Sequence, residues 1–131
     1  VGGGTSPFIE AYPFSTGFGT KRSDPSSLPS GTTLSLAFAN DDSELVIGTN
    51  TSPFVDAYPY SSGFGTKRSD PGTLPSGSGN GTAFMSDDVD IILGNASSAF
   101  INAYPYSSGF GSKYSNPGTL PAGLVRALAI I

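Results

Sequence analysis

Apolar residues in this chain come in short runs cut by turn residues, and no stretch keeps a helical spacing. Leu34 to Ala39 (LSLAFA) predicts a buried strand. Asn40 to Ser43 follows, rich in side chains that hydrogen-bond their own backbone, and predicts a hairpin turn. Glu44 to Ile47 is the second strand, Gly48 to Thr51 turns again, and Phe54 to Tyr60 is the third. Alternation puts Phe54, Asp56, Tyr58 and Tyr60 on one face and Val55, Ala57 and Pro59 on the other. Pro59 has no N–H to donate, so pairing should thin out beside it. Ser61-Ser62-Gly63 turns the chain into a fourth strand, Phe64 to Ser69, ending at Asp70-Pro71. The pattern then recurs as Thr82 to Met85, Val89 to Leu93, Phe100 to Tyr106 and Phe110 to Ser115.

The recurrence is a strict repeat. Phe54 to Pro71 reads FVDAYPYSSGFGTKRSDP; Phe8 to Pro25 reads FIEAYPFSTGFGTKRSDP, and Phe100 to Pro117 reads FINAYPYSSGFGSKYSNP. Successive copies stand 46 residues apart, within the range that marks repeat architectures. The repeats run over about 1–46, 47–92 and 93–131 of one domain, the last incomplete. Four short strands joined by tight turns form one small antiparallel sheet, and sheets that stack need apolar residues on both faces. The expected fold is all-β: a β-propeller-type array of four-stranded antiparallel blades.

Val1-Gly2 aligns with Ile47-Gly48, and Leu128 to Ile131 aligns with Leu36 to Ala39. The terminal blade is therefore expected to be split between the two ends of the chain. Three blades close a ring poorly, and open strand edges invite pairing. Either further repeats of the same protein complete the ring, which the broken seam favours, or the chain forms a homo-oligomer of six or nine blades.

Composition narrows the chemistry. The 131 residues include no Cys, His or Trp, so disulfides, imidazole metal sites and Ser-His-Asp or Cys-His catalysis cannot be built within the chain. Charged residues are 12% and the net charge is −4, which argues against binding a nucleic-acid backbone. No apolar run is long enough to cross a bilayer as a helix. Nine Phe and six Tyr supply core material, and the 18 Gly and 11 Pro recur at equivalent turns.

Each candidate motif has a structural reading beside a functional one. Gly17-Phe18-Gly19-Thr20-Lys21 and its copies lack the Gly-Lys-Ser/Thr order and the following helix of a phosphate loop. Asp41, Asp42, Asp87 and Asp88 are turn acids, with Ca²⁺ binding as the weaker alternative. Tyr12 and Phe14, Tyr58 and Tyr60, and Tyr104 and Tyr106 pair on one strand face, either as packing between blades or as a binding rim for sugar or protein. Lys21-Arg22 and Lys67-Arg68 lie beside Asp24 and Asp70; the third copy has Tyr114 and Asn116 instead, which suggests a local ion pair. Asn50, Asn80 and Asn95 begin Asn-x-Ser/Thr sequons.

The cycle of LPxG, a strand ending in Ala37-Phe38 or Ala83-Phe84, an acidic turn and SPFxxAYPxSxGFGxKxSxP resembles WD-repeat-like propeller repeats of tailed-phage virion and bacterial extracellular proteins. In that family the first strand commonly reads like GNGVAFSPDG, and Gly79 to Phe84 (GNGTAF) is similar, whereas Val125 to Ile130 departs from it. The resemblance implies a virion, tail-associated or extracellular structural protein that contacts a host surface. Repetition of the same residues in every unit points to a scaffold without catalysis or cofactor. A propeller lectin with one sugar site per blade is the alternative. A hydrolase using Asp56, Asp87 or Asp90 is the least supported reading.

Overall fold

A computed structural model describes residues 1–129. The described residues contain no helix, and six strands form two antiparallel sheets. The first sheet holds β1 (Thr33–Phe38), β2 (Glu44–Thr49) and β3 (Val55–Pro59); the second holds β4 (Gly79–Phe84), β5 (Asp90–Asn95) and β6 (Ile101–Pro105). Their registers match residue for residue across the repeat: Leu36 pairs with Ile47 and Thr82 with Leu93. Both first strands slip register at their start, between Thr33 and Ser35 and between Gly79 and Gly81.

The fourth strand expected at Phe64 to Ser69 is not a ladder strand. It runs along β3 as an extended segment, held by the Tyr60–Phe64 bridge and by Gly65 N–H to Pro59 C=O (2.8 Å) and Arg68 N–H to Ala57 C=O (2.8 Å). Both bonds are donated by the outer segment. Ala57 and Pro59 turn the same side of the strand outward, and Pro59 has no N–H with which to return one. Pro13 and Pro105 produce the same truncation, with Gly19 and Arg22, and Gly111 and Tyr114, as the donors.

The two sheets stack, with β4 lying against both β1 and β2. Alternation along the strands sorts the apolar residues between two layers. Val46, Val55 and Ala57 meet Phe84, Ile91, Leu93 and Tyr104 of the second sheet. Leu45, Ile47 and Tyr58 point the other way, onto Ile9 of the first repeat. The first sheet is therefore packed on both faces, which explains why β2 and β3 are almost wholly buried.

The chain ends follow the repeat. Gly2 bridges to Ile9, and Gly3 N–H bonds Phe8 C=O just as Thr49 bonds Phe54 and Asn95 bonds Phe100. At the other end, Val125 N–H bonds Asn95 C=O (3.2 Å), the contact that Thr33 makes with Gly3 (3.2 Å).

Candidate functional site

Each AYPY or AYPF strand end folds its aromatics around the phenylalanine of the following GFG turn. Phe64 stands edge-on to Tyr58 (6.0 Å) and to Tyr60 (5.6 Å), and Phe110 does the same to Tyr104 (5.9 Å) and Tyr106 (5.5 Å). Edge-to-face contact is the arrangement that ring quadrupoles favour. Phe38 and Phe84 add a fourth ring to each cluster, against Tyr60 (5.2 Å) and Tyr106 (5.5 Å).

Burial divides the six candidate rim residues. Tyr58 and Tyr104 are fully buried, and their hydroxyls donate to Ser27 C=O and Thr73 C=O, each at 2.9 Å. Each anchors the loop that leads into the first strand of its own sheet and does not line a rim. Tyr106 is also buried, with its hydroxyl on Glu44 Oε2 of the neighbouring sheet (2.8 Å). Tyr12 and Tyr60 are half-buried, and Phe14 is exposed.

What remains at the rim is a groove between consecutive outer segments. One groove, of about 480 Å³, runs between Arg22–Asp24 and Pro59–Gly65, with Tyr60, Ser61, Ser62 and Phe64 in its wall. Its counterpart, of about 390 Å³, lies between Thr66–Asp70 and Ser108–Phe110. Their polar chemistry differs. Arg68 is paired with Glu44, to which Tyr106 also donates, whereas Arg22 is exposed and makes no ion pair among the described residues.

The lysines form the local ion pairs that the spacing suggests, and the second arginine does not. Lys21 and Lys67 take the neighbouring Asp24 (2.9 Å) and Asp70 (3.0 Å), but Arg68 reaches across β3 to Glu44 on β2. Tyr114, in the place of Arg68, donates to Asp90 Oδ1 (2.9 Å), in the place of Glu44. The arginine-to-tyrosine change thus preserves a bond from the outer segment to the second strand of its sheet.

Sequence reasoning also missed a buried polar centre. The Asp56 carboxylate is fully buried; Oδ2 accepts from Ser30 N–H (2.8 Å) and Ser30 Oγ–H (2.9 Å), and Lys67 Nζ lies 2.5 Å from Oδ1. Desolvation works against the Lys67 charge, but hydrogen bonds to Asp56 and Asp70 outweigh it and raise the pKa. Asn102 occupies the same position in the third repeat, accepting from Ser76 N–H (3.0 Å) and Asn95 Nδ2 (2.8 Å). Glu10 occupies it in the first, 2.9 Å from Lys21. The available signal was a polar residue on the inward strand face in all three copies, with a lysine retained each time.

The turn acids serve the backbone. Asp41 Oδ1 accepts from Ser43 N–H (2.9 Å) and Asp87 Oδ1 from Val89 N–H (3.2 Å); the Ser43 bonds hold the Asp41 pKa below the usual carboxylate range. Asp42 and Asp88 take left-handed φ of 59° and 58°, and Asp88 accepts from Asn40 N–H, tying the two hairpins together. Among the described residues no three acids gather as a metal site would need. Asp56, Asp87 and Asp90 each bond a different partner. Of the sequon residues, Asn50 is exposed and Asn95 is fully buried.

Burial predicts a test at high pH. Desolvation raises the phenol pKa of Tyr58, Tyr104 and Tyr106, with Glu44 adding to the shift at Tyr106. A folded pKa above the unfolded value of about 10 gives stability that is complete below that pH and lost as pH rises further. Tyrosinate absorbance should therefore show these three phenols ionising only together with loss of the β-sheet circular dichroism signal. Independent ionisation of all six tyrosines near pH 10 in folded protein would contradict the burial. Tyr58→Phe should cost about 1 kcal/mol in urea unfolding, the net worth of one buried hydrogen bond.

Compared with known proteins, the chain matches no family model and no curated protein sequence.

Proposed function

We propose that this chain is a non-catalytic structural or adhesive protein of the β-propeller type, a virion, tail-associated or extracellular component that presents its blade rims to a protein or host surface. Each three-stranded sheet with its outer segment corresponds to one four-stranded blade. The observation that carries the reading is the stacking: the two sheets approach along their first strands, and grooves open between consecutive outer segments. Inner edges that converge while outer edges splay are what a radial array of blades requires. The chemistry of the repeated residues is spent on holding sheets together. Tyr58 and Tyr104 anchor loops, Asp56 and Lys67 anchor a strand, and the hairpin acids cap turns.

The grooves favour a carbohydrate-binding lectin as the second reading. Tyr60 and Phe64 offer ring faces and edges, and Ser61 and Ser62 offer hydroxyls, in one concave wall. Such a wall suits a sugar ring or the flat side chain of a protein partner. Both readings predict saturable retention of the chain on immobilised glycoproteins or cell-surface preparations, reduced at least about tenfold by Tyr60→Ala, which removes one rim anchor of the kind that dominates interfaces. Displacement by simple sugars identifies the lectin; retention that sugars leave untouched identifies a protein contact. Absence of retention on every surface tried would end the adhesive reading. Tyr58→Ala and Tyr104→Ala are unsuitable for this assay, because both side chains are core.

A further inference from the structure

Equivalent positions on the two sheets are covered differently. Phe84 is 8% exposed and Phe38, one repeat earlier, is 40% exposed. Tyr106 is buried while Tyr60 is half-buried. The difference comes from what lies over them. At the junction between the sheets, Ala37, Ala39 and Val46 of the first sheet close over Phe84, Ile91 and Tyr106. At the junction with the first repeat nothing occupies that place among the described residues. An apolar cleft of about 150 Å³ remains there, lined by Ile9, Leu36, Phe38, Leu45, Tyr60 and Phe64.

The chain carries a segment matched to this cleft. Two repeats on from Ala37 and Ala39 stand Ala129 and Ile131, the latter outside the described residues. The segment from Leu124 already behaves as a first strand at its start. Val125 sits on Gly94 and bonds Asn95 C=O, and Ala127 lies over Gly81, where a Cβ would come within 3.3 Å of its Cα. Among the described residues no second strand lies beside it. Val1 to Gly3, conversely, repeats the end of a second strand, bonded to Phe8, Ile9 and Glu10, with no first strand beside it among the described residues.

We propose that, among copies of these 131 residues, a second copy fills the cleft: residues Leu124 to Ile131 of one copy add as the first strand beside Val1 to Gly3 of the next, head to tail. The register follows from the two complete sheets. Leu36 pairs with Ile47 and Thr82 with Leu93, so Leu128 of one copy faces Val1 of the other. Ala129 and Ile131 then cover Phe38 and Tyr60 as Ala37 and Ala39 cover Phe84 and Tyr106. A head-to-tail contact of this kind closes into a ring when the rotation per copy allows it. The inference concerns how copies join and is independent of what the rims contact.

Solution mass of the 131-residue chain, measured by light scattering over a dilution series, tests the association. A discrete particle of two or three copies is expected; a monomer at all concentrations, or a polydisperse aggregate, overturns the proposal. Cross-linking tests the register, and the cysteine-free sequence makes it clean. Opposed residues of antiparallel strands stand roughly 4.5–5.5 Å apart between Cα atoms, within disulfide range. Mild oxidation of a mixture of Val1→Cys and Leu128→Cys chains should give the mixed disulfide well above either self-pair. A chain bearing both substitutions should cross-link between chains. A disulfide closed within one chain, or a stable oligomer without the mixed disulfide, would refute this mode of joining.

Discussion

Gly48→Ala is expected to destabilise the protein by about 3 kcal/mol, at the upper end of what an inserted methyl costs in a packed interior. The position lies on β2 where the two sheets come closest. An added Cβ would overlap the Gly79 carbonyl oxygen and lie 2.5 Å from Ser35 Oγ, whose hydroxyl bonds that same carbonyl at 2.9 Å. Gly79 is equally confined, since its own Cβ would meet Phe54 C=O at 2.6 Å and Gly48 Cα at 2.8 Å. The nearest obstacle at each glycine is a backbone atom, so moving the Ser35 side chain alone makes no room and the sheets must move apart. Gly2→Ala should cost less, because its nearest obstacle is the Thr33 side chain. Gly63→Ala, with nothing within 4 Å, should stay within about 0.5 kcal/mol of the parent. Urea unfolding with unchanged m-values measures all three. A Gly48→Ala midpoint equal to that of Gly63→Ala would show that the sheets slide freely over one another, and that this glycine contact does not set their spacing.

Much of this architecture was legible because repetition multiplies the signal. One copy of LSLAFA or ELVI is an ambiguous apolar run; the same run with the same turn residues 46 positions later fixes it as a strand of a recurring unit. The three central strands of each sheet follow directly. The outer segment GFGTKRS carries no sign in its own residues that its pairing is partial, because the loss of pairing comes from Pro59 on the neighbouring strand. The aromatic pairs share a strand face as alternation requires, but alternation alone leaves packing and rim equally open. Alternation says which way Tyr58 points, and only the stacked first repeat makes that direction interior. Arg68 with Glu44 was illegible for the opposite reason. The pairing is 24 residues long-range and crosses β3, so sequence adjacency pointed to Asp70 instead. Glycines such as Gly48 carried no distinctive signal beside those of the turns, although their persistence in the second strand of every copy, at Gly2, Gly48 and Gly94, reflects one close approach.

The buried ion pair gives the other large expected effect. Lys67→Met should cost about 3–5 kcal/mol, because the Asp56 carboxylate then remains in the interior without its cation. Two donors from Ser30 still reach Oδ2, but nothing replaces Lys67 at Oδ1. Asp56→Asn should be far milder, about 1 kcal/mol. An amide oxygen still accepts from Ser30 N–H, as the Asn102 oxygen accepts from Ser76 N–H, and Lys67 keeps Asp70 at 3.0 Å. The third repeat has already made this exchange, carrying Asn102 and Asn116 with Lys113 bonded to the latter at 2.7 Å. Combining Lys67→Met with Asp56→Asn removes both charges, so the double variant should be more stable than Lys67→Met alone by about 2 kcal/mol. Lys21→Met, at the more exposed equivalent, should cost at most about 1 kcal/mol. Denaturant unfolding of the four variants closes the cycle. Single costs that simply add would mean that Asp56 is held by Ser30 alone and that Lys67 contributes only as a surface charge. A rescue confined to the Asp56 and Lys67 pair would establish it as the polar link that fixes the outer segment to the third strand.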